Sequence, residues 1–125
     1  MLAMPTTAQL AAFISDQFGS VWALELLLFL KDHAATDWPN APLVEALRAS
    51  DAIVTSSVEA LLAGGLILTG KDGARYAPAS GDLGELVEET AILYARKPDA
   101  VRRLIISSSQ AGLSAFANSF RLRGE

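Results

Sequence analysis

The stretch SDAIVTSSVEALLAGGLI, residues 50–67, constrains the fold of this chain more than any other segment. Its apolar residues recur at the i, i+4, i+7 and i+8 positions of a helix: Val54, Val58, Leu61 and Leu62. Ser50 or Asp51 stands where an N-cap is expected, and Gly64–Gly65 supplies the left-handed ending that commonly closes a helix. We therefore predict one helix here, with a tight break immediately before it.

The following segment, LILTGKDGARYA, has the pattern of a β hairpin. Two short segments flank Lys71-Asp72-Gly73, and Asp-Gly suits the positive φ angles of a hairpin turn. We predict that residues 66–77 form an antiparallel hairpin with its turn at Lys71–Gly73. The chain is therefore predicted to be mainly α-helical with one small β hairpin.

The rest of the chain shows helical apolar spacing, without internal repeats or low-complexity segments. We predict a single domain over residues 1–125, with an N-terminal helix at 1–19, a core at 20–79 and a C-terminal helical extension at 80–125. The helix after residue 20 is apolar on nearly every side, and Trp22 falls on its inner face. The expected boundary residues are Ser20, Asn40 and Asp82 as N-caps and Pro98 as a helix stop.

Composition argues against several kinds of catalytic and metal site. The chain has no cysteine, so it forms neither disulfides nor thiolate metal sites, and its only histidine, His33, makes a zinc site improbable. No spacing supports a Ser-His-Asp constellation. Gly64–Gly65 follows a helix instead of preceding one, which is the wrong order for a phosphate-binding loop. We predict a protein that is not an enzyme and uses no cofactor or metal.

Charge is distributed unevenly along the chain. Residues 1–95 hold four basic and twelve acidic residues, a net charge of −8, whereas residues 96–125 hold six basic and two acidic ones, a net charge of +4. This charge asymmetry indicates which partners the protein could attract and does not indicate its fold. The N-terminus lacks the positive start of a secretory signal, and the most apolar run, residues 21–30, is too short to cross a bilayer. We expect a cytoplasmic bacterial protein with no membrane partner.

The order of predicted elements over residues 20–78 resembles the winged helix-turn-helix superfamily, and MarR-like bacterial transcriptional regulators most closely. The segments that carry the resemblance are LVEALRASDAIVTSSVEALLAGGLI and, as the wing, DGARYAP. Together they cover about half of the chain. The resemblance implies a winged-helix core with flanking helices, one helix lying in the DNA major groove, and a wing touching the phosphate backbone or the minor groove.

Carried over to this sequence, the resemblance assigns DNA contacts to the recognition helix and the wing. The residues assigned are Ser50, Thr55 and Ser56 on the helix, beside Ala52 and Glu59, and Lys71 and Arg75 on the wing. Members of the family usually carry basic residues at several positions that here hold Asp51, Ser56 and Ala60. Lysine and arginine make most guanine contacts and neutralise phosphates, so this surface is poor in both kinds of contact.

The sequence leaves two functions open. In the first, the chain is a small DNA-binding transcriptional regulator. Its helix hydroxyls (Thr55, Ser56 and Ser57) bind bases or phosphates, while the wing cations and the basic end supply charge. In the second, it is a winged-helix protein–protein interaction module whose acidic face meets another protein. The charge over Thr55, Ser56 and the wing separates them, because a positive stripe favours DNA and a negative one favours protein.

Apolar stripes near both ends of the chain predict a homodimer. The chain is 51% apolar with a mean hydropathy of +0.32, and a small monomer seldom leaves a large apolar patch exposed. The predicted interface residues are Leu10 and Phe13 in the first helix and Leu113, Phe116 and Phe120 in the last. A two-fold arrangement would also bring the basic end of one copy to the acidic body of the other.

Overall fold

The computed structural model describes residues 6–107, and its element order is that of a winged helix-turn-helix with flanking helices. The elements are α1 (Thr7–Gln17), α2 (Val21–Asp32), α3 (Asn40–Leu47), α4 (Asp51–Ala63), β1 (Ile67–Gly70), β2 (Gly73–Tyr76), α5 (Gly81–Arg96) and α6 (98–107). The predicted fold class is therefore confirmed: the structure is mainly α-helical with one small antiparallel hairpin.

Serine side chains fix the starts of three helices. Ser20, Ser50 and Ser80 each accept a hydrogen bond from the backbone N–H three residues later, at 3.1–3.3 Å. The prediction of Asp82 as the cap of α5 is wrong, because Ser80 is the N-cap and Asp82 lies inside the first turn. There its negative charge interacts favourably with the positive N-terminal end of the helix dipole.

The start of α3 also differs from the prediction. Pro39 is the N-cap residue of α3, and its side chain makes no capping hydrogen bond. Asn40, which was expected to cap this helix, is its first residue, and its side-chain amide binds Thr55. The sequence spacing located the start of α3 within one residue but assigned the side chain of Asn40 to the wrong partner.

The hairpin forms as predicted. Ile67 pairs with Tyr76 and Gly70 pairs with Gly73, so that Lys71–Asp72 make the turn. Gly73 has a φ of 122°, whereas Asp72 does not take the positive φ that the Asp-Gly pattern favoured.

Trp38 extends the hairpin by one β-bridge. Its N–H and its carbonyl each form a 2.8 Å hydrogen bond with Ala74. A Cβ atom at Gly73 would collide with the backbone of Trp38 and Pro39, so this close approach requires glycine. The sequence indicated only a loop here, because a single bridge residue has no alternating pattern to detect.

Helix α2 lies at the centre of the core. Its buried residues are Ala23, Leu24, Leu26, Leu27 and Leu30, as expected for a helix that is apolar on nearly all sides. The other elements contribute Ile14, Phe18, Leu43, Val54, Leu61, Leu66, Ile67, Ala74, Val87, Val101 and Ile105. Trp22 was predicted on the inner face of α2 but is exposed, because spacing cannot choose the outward side of a helix that is apolar all round.

Within residues 6–107, no single helix has both the length and the apolar character needed to cross a membrane. Helices α1 and α2 meet these criteria of length and composition only as a pair, which is bent by 106°.

Candidate functional site

A tight turn places α3 and α4 side by side, as in a helix-turn-helix. Arg48 ends α3 in the left-handed conformation with a φ of 54°, and Ser50 caps α4 two residues later. A non-glycine residue pays about 1–2 kcal/mol for this conformation. The turn is therefore stabilised by the packing of α3 against α4, and it sets the direction of α4 relative to α3.

The hydroxyl groups predicted to contact DNA are already hydrogen-bonded within the chain. Ser50 Oγ accepts from the N–H of Ile53, and Ser56 Oγ donates to the carbonyl of Ile53 at 3.2 Å. Thr55 Oγ1 accepts a 3.0 Å hydrogen bond from Nδ2 of Asn40. Each of these side chains is thus held in one orientation and has fewer bonding positions left for a base or a phosphate.

Ser57 does not belong to the surface of α4. It is 4% exposed and lines a cleft with Gly19, Ser20 and Ala23, between α4 and the start of α2. The prediction that it could reach a base or a phosphate is wrong. Helix geometry gives the reason, since Ser57 stands three residues after Val54 and four before Leu61, both of which are buried.

The outward surface of α4 is a stripe of mostly small side chains. We call it the α4 face; its residues are Ala52, Ser56, Glu59, Ala60 and Ala63, all exposed, of which Ser56 and Ala60 also line the cleft beside the start of α2. Sequence reasoning did not identify Ala60 and Ala63 as site residues, although their spacing from Ser56 places them on the same side of the helix. Gln17 of α1 donates a 3.4 Å hydrogen bond to the carbonyl of Ala60, which ties this end of α4 to the body.

The two predicted wing cations differ in their surroundings. Arg75 lies 3.7 Å from the carboxylate of Asp37, and both side chains are partly exposed. Lys71, at the exposed tip of the turn, has no ion pair among residues 6–107. The sequence analysis missed Asp37 because it comes from the loop before Trp38, which the unpredicted β-bridge brings next to β2.

The combined surface of α4 and the wing carries a small net negative charge. Residues 50–77 hold three acidic residues and two basic ones, a net charge of −1; Asp37 adds a negative charge beside Arg75, and the exposed Arg48 adds a positive one in the turn before α4. Arg102 of the basic end is engaged elsewhere, with Tyr94 and Asp99. The α4 face itself contains no cation and one carboxylate, that of Glu59.

A network of polar side chains joins α5 and α6 to the central helix. The hydroxyl of Tyr94 donates a 2.7 Å hydrogen bond to Glu25 of α2, and the guanidinium of Arg102 lies 3.4 Å from the same hydroxyl and 5.7 Å from the ring centre. Burial raises the pKa of Tyr94, and the bond to Glu25 raises it further, while Arg102 opposes the shift. The network holds the flanking helices in place.

A groove of about 280 Å³ lies between α1, α5 and α6. Its lining includes Leu10 of α1, Ile92 and Leu93 of α5, and Leu104 of α6. Leu10, predicted at a dimer interface, is partly buried at this groove. Phe13, also predicted there, packs edge-on against the buried Phe18 with ring centres 5.8 Å apart.

The remaining predicted interface residues, Leu113, Phe116 and Phe120, lie outside the described residues, and the homodimer stays a prediction.

The described residues contain no group of three or more His, Asp or Glu side chains placed to hold a metal ion. His33 ends α2, where its Nδ1 lies 2.8 Å from the carbonyl of Phe29 and its ring packs against Trp38. These contacts place His33 at the C-terminal end of α2, where its side chain stabilises the helix end.

No protein-family model matches the sequence, and the searches of curated proteins and of solved structures found no significant match. The winged-helix description therefore rests on the order of elements, the turn between α3 and α4, and the hairpin with its Trp38 bridge.

Proposed function

We propose that this chain is a winged-helix protein–protein interaction module that presents the α4 face to another protein. The observation that carries the proposal is the chemistry of that face. It has no cation, three of its five exposed side chains are alanines, and the Ser56 hydroxyl is bonded to its own helix. Nucleic acid binding draws most of its affinity from cations set against phosphates, and this surface offers few.

The face favours a partner of definable chemistry. Three exposed alanines, Ala52, Ala60 and Ala63, allow close approach of apolar side chains or of another helix. Glu59 and Asp51 lie at the edge of this small-residue strip, where a lysine or arginine of the partner would meet them. The expected partner surface is therefore apolar at its centre and basic at its rim.

A DNA-binding transcriptional regulator of the MarR-like type is the second candidate. One observation favours it: Lys71 stands exposed at the wing tip without an ion pair among the described residues, where a winged helix contacts phosphate. The cytoplasmic location, the single domain and the absence of catalysis expected from the sequence stay predictions in both cases.

A DNA titration separates the two candidates. Labelled duplexes from a genomic pool are titrated with the full chain at low and at moderate salt, and fluorescence anisotropy is measured. The interaction module predicts no binding at either salt concentration. Binding that falls steeply with salt and weakens uniformly across sequences in the Lys71→Ala variant supports the regulator and overturns the interaction module.

A photo-crosslinking experiment tests the interaction directly. A photoreactive amino acid replaces Ala60 on the α4 face or, as a matched control, the exposed Ala95 of α5. After irradiation in cells, the variant at position 60 is expected to yield a protein adduct of one defined mass that the variant at position 95 does not yield. The same adducts at both positions, or none at position 60, contradict the proposal.

A further inference from the structure

The groove between α1, α5 and α6 is lined by a stripe of α5 with a distinctive order of side chains. The stripe consists of Glu89, Ile92, Leu93 and Arg96, which lie on one side of the helix at i, i+3, i+4 and i+7. Along the helix it therefore places an acid first, two apolar residues next and a base last. We call these four residues the α5 stripe.

The α5 stripe is complementary to an antiparallel copy of itself. Two α5 helices can cross antiparallel about a two-fold axis that passes near Ile92 and Leu93. In that arrangement Glu89 lies opposite the partner's Arg96, and Arg96 lies opposite the partner's Glu89. The apolar pair in the middle then meets its own copy, as the self-complementary interface of a two-fold dimer requires.

The two charged side chains of the α5 stripe have no ion-pair partner within the described chain, and its isoleucine is exposed. Neither Glu89 nor Arg96 has an ion pair with another of the residues 6–107, although the adjacent Glu88 pairs with Lys31 at 2.9 Å. Ile92, which lies between these two charged residues on the stripe, is 45% exposed. A large apolar side chain exposed over a groove and flanked by opposite charges is the composition of an interface centre with a polar rim.

We propose that the α5 stripe is a homodimer interface, in which the α5 helix of a second copy of this chain seats on the groove. The apolar contact is made by Ile92 and Leu93 with the same residues of the second copy, above Leu10 and Leu104. Ion pairs at both ends set the antiparallel orientation, because a parallel crossing would oppose like charges. This inference does not depend on the proposed function, since the α5 stripe and the α4 face belong to different helices.

The mass of the full chain in solution gives the first test. Light scattering at micromolar concentration is expected to give a dimer for the original chain and a monomer for Ile92→Glu. Ile106→Glu is the matched control, because Ile106 is 50% exposed on α6 and does not line the groove, and it is expected to stay dimeric. A monomeric mass for the original chain overturns the proposal.

Charge exchange tests the orientation of the two copies. Arg96→Glu sets like charges opposite each other at both ends and should raise the dimer dissociation constant about tenfold, given the usual strength of exposed pairs. Glu89→Arg combined with Arg96→Glu restores both pairs in reverse and should recover the original value. Lys97→Glu, an equal change of charge at the adjacent exposed residue, should have a smaller effect. Failure of the double variant to recover affinity overturns the antiparallel pairing.

Crosslinking gives an independent test, made simple by the absence of cysteine from the chain. Because position 92 lies near the two-fold axis, Ile92→Cys should form a disulfide-linked dimer under mild oxidation far faster than Ile106→Cys. Equal rates for the two variants overturn the proposal. If residues 113–120 of the same chain cover the groove instead, the chain is monomeric and Ile92→Cys shows no such preference, which also overturns it.

Discussion

Helices α4 and α5 both expose a stripe of side chains, but they offer a partner different kinds of contact. On α4, the hydroxyls of Thr55 and Ser56 already bond within the chain, and most positions of the α4 face are alanine. On α5, Glu89 and Arg96 flank an exposed isoleucine and have no ion pair within the described chain.

The two surfaces should therefore respond differently to salt. The proposed partner on α4 would be recognised mainly through shape and apolar contact, which added salt does not screen. The proposed second copy on α5 would be oriented by exposed charges, whose attraction weakens as salt shortens the screening length to about 8–10 Å. The two proposed contacts thus differ in what specifies them: shape on α4 and the order of charges on α5.

The largest expected effect concerns what holds the α4 face in position. Leu61 is fully buried under α4, whereas the adjacent Leu62 is 41% exposed. Leu61→Ala should lower the free energy of unfolding by about 2–5 kcal/mol because it leaves a cavity in the core, and Leu62→Ala should change it by less than about 0.5 kcal/mol. Urea unfolding followed by circular dichroism measures both. Similar losses for the two variants would show that α4 is not seated as described.

A smaller effect is expected at the wing. Gly73→Ala adds a Cβ against the backbone of Trp38 at a φ of 122°, so it should cost about 1–3 kcal/mol of stability. Gly70→Ala is the matched control, because a Cβ at this paired position meets no atom within 4 Å, and it should leave stability almost unchanged. The same urea titration compares them. If Gly73→Ala is as stable as the original chain, the Trp38 bridge does not fix the wing beside α4.

The sequence was sufficient to predict the elements whose signals are local. Ser50 and Gly65 mark the two ends of α4. The hairpin is predicted by the turn residues around Lys71–Asp72 and by the short segments on either side that pair as strands. These features depend on neighbours a few residues away. For the same reason the predicted order of elements was confirmed along the described chain.

The sequence was not sufficient where the partner of a side chain is distant along the chain. Asn40 binds Thr55, fifteen residues away, and Tyr94 binds Glu25, sixty-nine residues away. Periodicity reports only which side of a helix faces the core, so it neither assigns such pairs nor identifies the exposed side of α2, where Trp22 lies. The sequence analysis treated Arg96 only as part of the basic end and did not single out Glu89, because the two residues form one stripe only in relation to the groove between α1, α5 and α6.

The smallest expected effect is a loss of stability at alkaline pH, where deprotonation of Tyr94 removes the hydrogen bond that anchors α5 to α2. The chain has two tyrosines, and the folded state raises the pKa of both. Burial raises the pKa of Tyr76, and the negative charge of Glu88 adds to the shift. Burial and the hydrogen bond to Glu25 do the same for Tyr94. The folded state therefore favours the neutral phenol in each case.

The sign of the pH effect follows from this preference. The stabilisation is fully present below the pKa of an unfolded tyrosine, about 10, and is lost as the pH rises through the higher folded values. Ultraviolet absorbance of tyrosinate, to which lysines do not contribute, should rise at a higher pH in the folded chain than in urea. The Tyr94→Phe variant lacks the hydrogen bond between α5 and α2. In this variant Tyr76 is the one remaining tyrosine that contributes to the absorbance change. The effect is small because both rings are partly exposed and solvent screens the charges. Coincident titration curves for the folded and unfolded chain would mean that Tyr94 does not hold α5 against α2, and the fixed placement of the α5 stripe would then lack its anchor.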